Sequence, residues 1–199
     1  ISAISKHKEI LTILELAKNI DVKDTYILGP LLVLERLFAR SGIDSILQSI
    51  TARHPKLEFD LRGLVFTLAA ARFVRPGSKL KVFEYWQKRF YPEMVTPNIG
   101  LHQLYRTLDL LAEHKDEIEK DLFWRDRDLL NREVDVVLYD LTTLRFESTR
   151  TDLGDLRQFG YSKERRSDCT QVVLGLLVTP EGIPIGFEVY PGNTFEGKT

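Results

Sequence analysis

One carboxylate sits where carboxylates are scarce. The stretch Val134–Glu147, VDVVLYDLTTLRFE, reads as a hydrophobic strand with Asp140 in its middle. Asp is depleted in strands because its short polar side chain competes for backbone hydrogen bonds and resists burial. Alternation sets Val136, Leu138, Asp140, Thr142, Leu144 and Phe146 on one face, and Val137, Tyr139, Leu141 and Thr143 on the other. Asp140 is therefore expected among apolar neighbours, where a charge must be paired or bound to a cation. Two readings stay open on the strand alone. One is a structural Asp held by an arginine or by backbone N–H groups; the other is a ligand for a divalent cation.

The other acids in this part of the chain are Glu147, Glu164, Asp168 and Glu188. Glu147 falls on the opposite face from Asp140, and Glu164 and Asp168 fall in a polar loop or at a strand start. They read as solvated surface acids, and a paired-carboxylate glycosidase has no better support. Basic residues cluster twice. The loop 150–166 carries Arg150, Arg157, Lys163, Arg165 and Arg166 beside Phe159 and Tyr161, a mixture suited to phosphate contacts and base stacking. A solvated loop anchored by Phe159 would carry the same residues. Residues 72–91 carry Arg72, Arg75, Lys79, Lys81, Lys88 and Arg89 against one acid, Glu84. Gly192–Thr199 matches G-x-x-x-x-G-K-T, the phosphate loop of nucleotide-binding proteins, and follows a strand. Glu196 would repel a triphosphate there and Pro191 disturbs the strand exit, so the match is read as coincidence.

These groups need elements to hold them. The chain has 199 residues, 43% hydrophobic and 29% charged, the composition of a soluble globular protein large enough for a real core. Its net charge of −1 does not advertise nucleic-acid binding, so any such surface must be local. The longest apolar run, residues 63–71, is too short to cross a bilayer. The N-terminus has no signal-peptide core and lacks an initiating Met, as a trimmed start would. The single cysteine, Cys169, excludes an internal disulfide and fits a cytoplasmic location. The four histidines and this cysteine have no zinc-type spacing.

Residues 1–131 read helical and 134–190 read as strands. Leu61, Leu64, Val65, Leu68, Ala69 and Phe73 predict one buried helical stripe, broken at Pro76-Gly77. Ser78 is the expected N-cap of a helix burying Val82, Phe83, Trp86 and Phe90. Leu101, Leu104, Tyr105, Leu108, Leu111 and Ala112 predict a further amphipathic helix, with His102, Gln103 and Arg106 outward. The two make a helix–turn–helix-like pair that could enter a major groove, or a helical hairpin packed on itself. His114–Arg132 predicts a charged helix with Ile118, Leu122 and Phe123 inward. Pro180-Glu-Gly182 predicts the turn of an antiparallel hairpin.

The order of pieces has a counterpart. A strand with Asp-Leu-Thr-Thr (140–143) is followed by a loop with Leu-Arg-x-Phe-Gly-Tyr-Ser-Lys (156–163). A strand with Gln-Val-x-Leu-Gly-Leu-Leu-Val (171–178) comes next, then Pro-Gly-Asn-Thr-x-Glu-x-Lys-Thr (191–199). This resembles the DDE transposases of bacterial insertion sequences, the insertion-sequence-4 family. The likeness is dense over 134–199 and weaker at Arg75-Pro-Gly-Ser-Lys79 and Tyr105-Arg-Thr-Leu-Asp109.

The resemblance implies an α+β chain. A helical, DNA-binding region (1–131) would precede the first three strands of an RNase H-like mixed sheet (132–199), an incomplete catalytic core. Asp140 would be the first metal-binding, catalytic carboxylate. Two Mg²⁺ or Mn²⁺ ions, roughly 3.5–4 Å apart, stabilise the attacking and leaving oxygens in such sites. The family's second Asp and its Glu would fall beyond Thr199, so this chain is expected to bind Mg²⁺ weakly and to cleave nothing. The complete enzyme would bind double-stranded DNA at transposon ends, cleave it, and join the 3′-hydroxyl to target DNA. Expected DNA contacts are Arg72, Arg75, Lys79, Lys81, Arg106, Arg157, Lys163, Arg165 and Arg166. A non-catalytic DNA-binding remnant and a P-loop nucleotide-binding protein are the rival readings. With the first strand at a sheet edge, self-association is also expected.

Overall fold

A computed structural model of the chain describes residues 24–130, 138–147, 156–160, 169–180 and 182–194. It is α+β. Among the described residues, six α-helices precede one three-stranded antiparallel sheet. The helices are α1 (Gly29–Ser41), α2 (Ile43–Arg53), α3 (Leu61–Val74), α4 (Lys79–Glu84), α5 (Leu101–Glu113) and α6 (Lys115–Leu130). The strands are β1 (Leu138–Arg145), β2 (Gln171–Val178) and β3 (Pro184–Pro191), in the order β1-β2-β3. Two compact units form. One holds the chain up to Phe38 together with His54–Asp109; the other holds Ala39–Arg53 and the chain from Leu110 onward.

The first unit is helical. Its core joins Leu31 and Leu34 of α1, Leu64, Phe66, Ala70 and Ala71 of α3, Val82 of α4, and Leu104 of α5, with Trp86, Phe90, Val95 and Ile99 between. Asp60 caps α3 by accepting from the Gly63 N–H at 2.9 Å, and Thr96 donates to its other oxygen at 2.7 Å. A side chain at position 63 would collide with both partners, so the cap requires glycine there. Ser78 caps α4 as expected, accepting from the Lys81 N–H at 3.2 Å.

The inward stripe of α3 differs from the expected one. Phe66, Thr67, Ala70 and Ala71 are buried, whereas Phe73 is 60% exposed. The hydroxyl of Thr67 donates to the Gly63 carbonyl at 2.7 Å, which lets a polar residue take an inward place. Tyr105, expected on the apolar side of α5, is likewise exposed, while Leu104 and Thr107 point in.

In the second unit β2 is the central strand, with Gln171, Val172 and Val173 buried at its start and Thr170 buried just before it. The predicted hairpin forms. Thr179 donates to the Ile183 carbonyl at 2.9 Å, and Gly182 takes φ 83°, a conformation that favours glycine. Helix α6 lies along the outer edge of β3, where Glu119 accepts the Phe187 N–H at 3.2 Å. Arg53 of α2 pairs with Glu117 of α6 at 2.6 Å, and His114 lies 3.1 Å from the same carboxylate. The Arg53 hydrogen bond holds the Glu117 carboxyl below its ordinary value, against a slight desolvation effect.

Candidate functional site

Asp140 sits in the middle of β1, directly opposite Leu176 of β2, which in turn faces Phe187 of β3. Directly opposed residues share a face, so these three form one row across the sheet. Thr142, Leu144 and Leu174 belong to the same face. The neighbours are apolar, as the alternation required. Burial is not as required: Asp140 and Thr142 are exposed, and so are Leu144 (46%) and Phe187 (40%). The described residues leave this face open, because α6 meets the sheet along the β3 edge instead. Among the described residues, Asp140 makes no ion pair and no side-chain hydrogen bond, so no arginine holds it. A hydrated, unneutralised carboxylate with a threonine hydroxyl two residues on can serve as an oxygen ligand for a hard cation. Among the described residues it is the single acid on this face.

The other face is built differently. Tyr139 lies across Gly175, where a Cβ would come within 2.4 Å of its hydroxyl, and reaches Tyr190 of β3 at 3.3 Å between the two oxygens. That hydrogen bond raises the Tyr190 pKa. Lys115 of α6 contacts Glu188 at 2.9 Å and Glu119 at 3.2 Å, and its ammonium stands 4.9 Å from the centre of the Phe187 ring. Burial opposes the charge on Lys115, but the hydrogen bonds to Glu188 and Glu119 outweigh it and raise the pKa.

Three of the sequence pieces meet at the far end of the sheet. Gln158 and Gln171 exchange backbone hydrogen bonds at 2.9 and 3.2 Å, and the Gly192 N–H donates to the Leu156 carbonyl at 2.9 Å. The buried Gln171 amide donates to the Gly192 carbonyl at 2.7 Å. A Cβ on Gly160 would lie 1.9 Å from the Gly192 oxygen, and one on Gly192 would lie 2.1 Å from the Gln171 oxygen. Both glycines are therefore needed for close backbone approach. Gln171 pairs with Arg145, five positions along β1 from Asp140, so this node lies about 17 Å from the carboxylate. It positions the loop rather than contributing to the acidic site. Nothing in the sequence spacing alone points to it.

The basic residues fall in separate places. Arg72, Arg75 and Lys81 are exposed and Lys79 is half-buried, all in the first unit between the end of α3 and α4. Among the described residues none of the four is in an ion pair. Arg106 is exposed on α5 beside His102 and Tyr105, but Asp109 and Glu113 are exposed on the same helix. Gln103 is occupied, its side chain accepting the Gly100 N–H at 2.8 Å. With α4 six residues long and followed by two short 3₁₀ turns (Trp86–Lys88 and Pro92–Met94), residues 72–113 do not form the compact helix pair expected of a groove reader. Arg157 is half-buried with its guanidinium 4.0 Å from the Phe146 ring centre. Lys163, Arg165 and Arg166, and also Arg150, lie outside the described residues. So does the Lys198-Thr199 end of the phosphate-loop match, whose first glycine, Gly192, is packed against backbone.

No family model, curated protein or solved structure matches this chain. Among the described residues, no helix is long and apolar enough to cross a membrane.

Proposed function

We propose that this chain acts in divalent-cation-dependent cleavage and joining of DNA, as part of a DDE-type transposase with an RNase H-like core. The observation that carries the reading is Asp140, a mid-strand carboxylate that no described protein group neutralises. Asp140 is the residue that holds Mg²⁺ or Mn²⁺. Bound in pairs, such ions stabilise the attacking and leaving oxygens of in-line displacement at phosphorus. The Asp140 charge supplies attraction, and the adjacent Thr142 hydroxyl supplies a polar neighbour for the ion's water. One carboxylate among the described residues makes a weak site, and further acidic ligands are required for turnover. The cations at 72–81, in no ion pair among the described residues, support duplex DNA as the partner. The packing of Gly192 against the Gln171 and Gln158 carbonyls speaks against a phosphate-cradling loop at the same residues.

Paramagnetic Mn²⁺ tests the carboxylate directly. In a ¹H–¹⁵N correlation spectrum of the chain, Mn²⁺ should broaden resonances around Tyr139–Leu141 first. Asp140→Asn should abolish that local broadening while leaving the fold unchanged. Broadening that is spread over surface acids, or that survives Asp140→Asn, removes the metal role.

A further inference from the structure

Phe73 was expected in the core and stands 60% exposed, the most exposed of the large hydrophobic side chains among the described residues. Its surroundings in the chain are unusual. From Arg72 to Phe83 there are four cations and no acid, in a protein whose net charge is −1. Arg72, Arg75 and Lys81 are exposed, and none of the four cations is ion-paired among the described residues. Arg75 leaves the helix in extended backbone, φ −161° and ψ 106°, so the chain departs α3 immediately after the aromatic residue. An exposed aromatic ring within an unneutralised cationic run suits a polyanion that also offers flat π faces. Phosphates meet the cations and an unstacked base meets the ring.

We propose that Phe73 is a stacking platform for an unpaired base, and that the cationic run around it holds the adjoining phosphates. The preferred ligand of this surface is then a DNA duplex with an unpaired or frayed end, not continuous duplex. The inference rests on the DNA reading above and adds the form of DNA that this unit takes.

Fluorescence anisotropy at low salt tests it with two labelled duplexes of equal phosphate count, one blunt and one ending in a three-nucleotide single-stranded tail. The full chain should bind the tailed duplex roughly 5- to 150-fold more tightly, the range that one base–aromatic stack supplies. Phe73→Leu should erase that preference, and Phe73→Trp should keep it. Arg75→Ala should weaken both duplexes alike and lower the slope of log K against log salt by about 1. Equal binding of the two duplexes by the unaltered chain, or a preference that survives Phe73→Leu, overturns the stacking role and leaves the DNA reading standing. Failure to bind either duplex at low salt overturns both. Binding to phosphatidylserine vesicles without binding to DNA also overturns both and assigns the surface to anionic lipid.

Discussion

Along the outer side of β3, the Phe187 N–H reaches Glu119 of α6, and Lys115 ties Glu119 to Glu188 over the Phe187 ring. Along the outer side of β1 the described residues supply no such helix. Phe146 donates to Thr170 at 2.9 Å, which fixes the phase of the ladder. The backbone groups of Tyr139, Leu141 and Thr143 therefore point away from β2. Both strands are eight residues long, and the one irregularity in register lies on the β3 side, between Leu177 and Val178, so the open edge does not come from a poorer strand. It comes from what lies alongside. A covered edge is a structural boundary, while an open edge is a template for another strand. Among the described residues, the open edge belongs to the strand that carries Asp140.

The largest expected effect breaks this contrast outright. The chain should self-associate through β1, giving a dimer or larger species by light scattering. Thr143→Pro removes one outward N–H, a substitution that an edge strand tolerates, and should return a monomer with unchanged helix content. A monodisperse monomer before any substitution would show that the β1 edge is not available for pairing.

How much of this was readable in the sequence follows from what periodicity encodes. It placed Val82, Trp86 and Phe90 inward and the Pro-Glu-Gly turn between β2 and β3, because those features depend on local spacing and backbone chemistry. It misassigned Phe73, because a run such as Leu61–Val74 offers several apolar stripes. Packing against Leu31, Leu34, Val82 and Leu104 sets which stripe is buried, and the Thr67 hydroxyl, bonded to the Gly63 carbonyl, lets a polar residue sit within it. Alternation identified the face of Asp140 correctly but could not say what covers it. The carboxylate is exposed on an open face rather than enclosed by the apolar residues beside it. The Gly160–Gln171–Gly192 node was illegible for another reason. Its members are far apart in the chain, and nothing local in the sequence marks where two backbones must touch.

That node gives the next effect in size, on the β3 side of the comparison. Segment 156–160 takes the place beside Gln171 where β3 ends, so the sheet stays paired on that side past Pro191. Gly192→Ala forces a methyl group into the Gln171 carbonyl and should destabilise the second unit by about 2–4 kcal/mol, read as a lower urea midpoint. The node, not α6 alone, would then be holding the covered side. A change under about 0.5 kcal/mol would mean that the backbone yields easily there.

The smallest effect isolates the helix that covers β3. Glu119→Ala removes both the acceptor of the Phe187 N–H and one partner of Lys115, and should cost about 1 kcal/mol. Glu119→Gln keeps an acceptor and removes only the charge, so the difference between the two variants separates edge capping from ion pairing. The pH dependence checks the second part. Lys115 titrates above its ordinary value of 10.5 in the folded chain, so its ion pairs contribute below that pH and are lost as pH rises through the folded value. The side chain is 22% exposed, and the contribution should stay near 0.5 kcal/mol or below. Unfolding midpoints of the unaltered chain should therefore fall slightly more above pH 10.5 than those of Glu119→Gln. Identical alkaline profiles would mean that the Lys115–Glu119 ion pair adds nothing, and would leave the Glu119–Phe187 hydrogen bond as the contribution of Glu119 to the cover on β3.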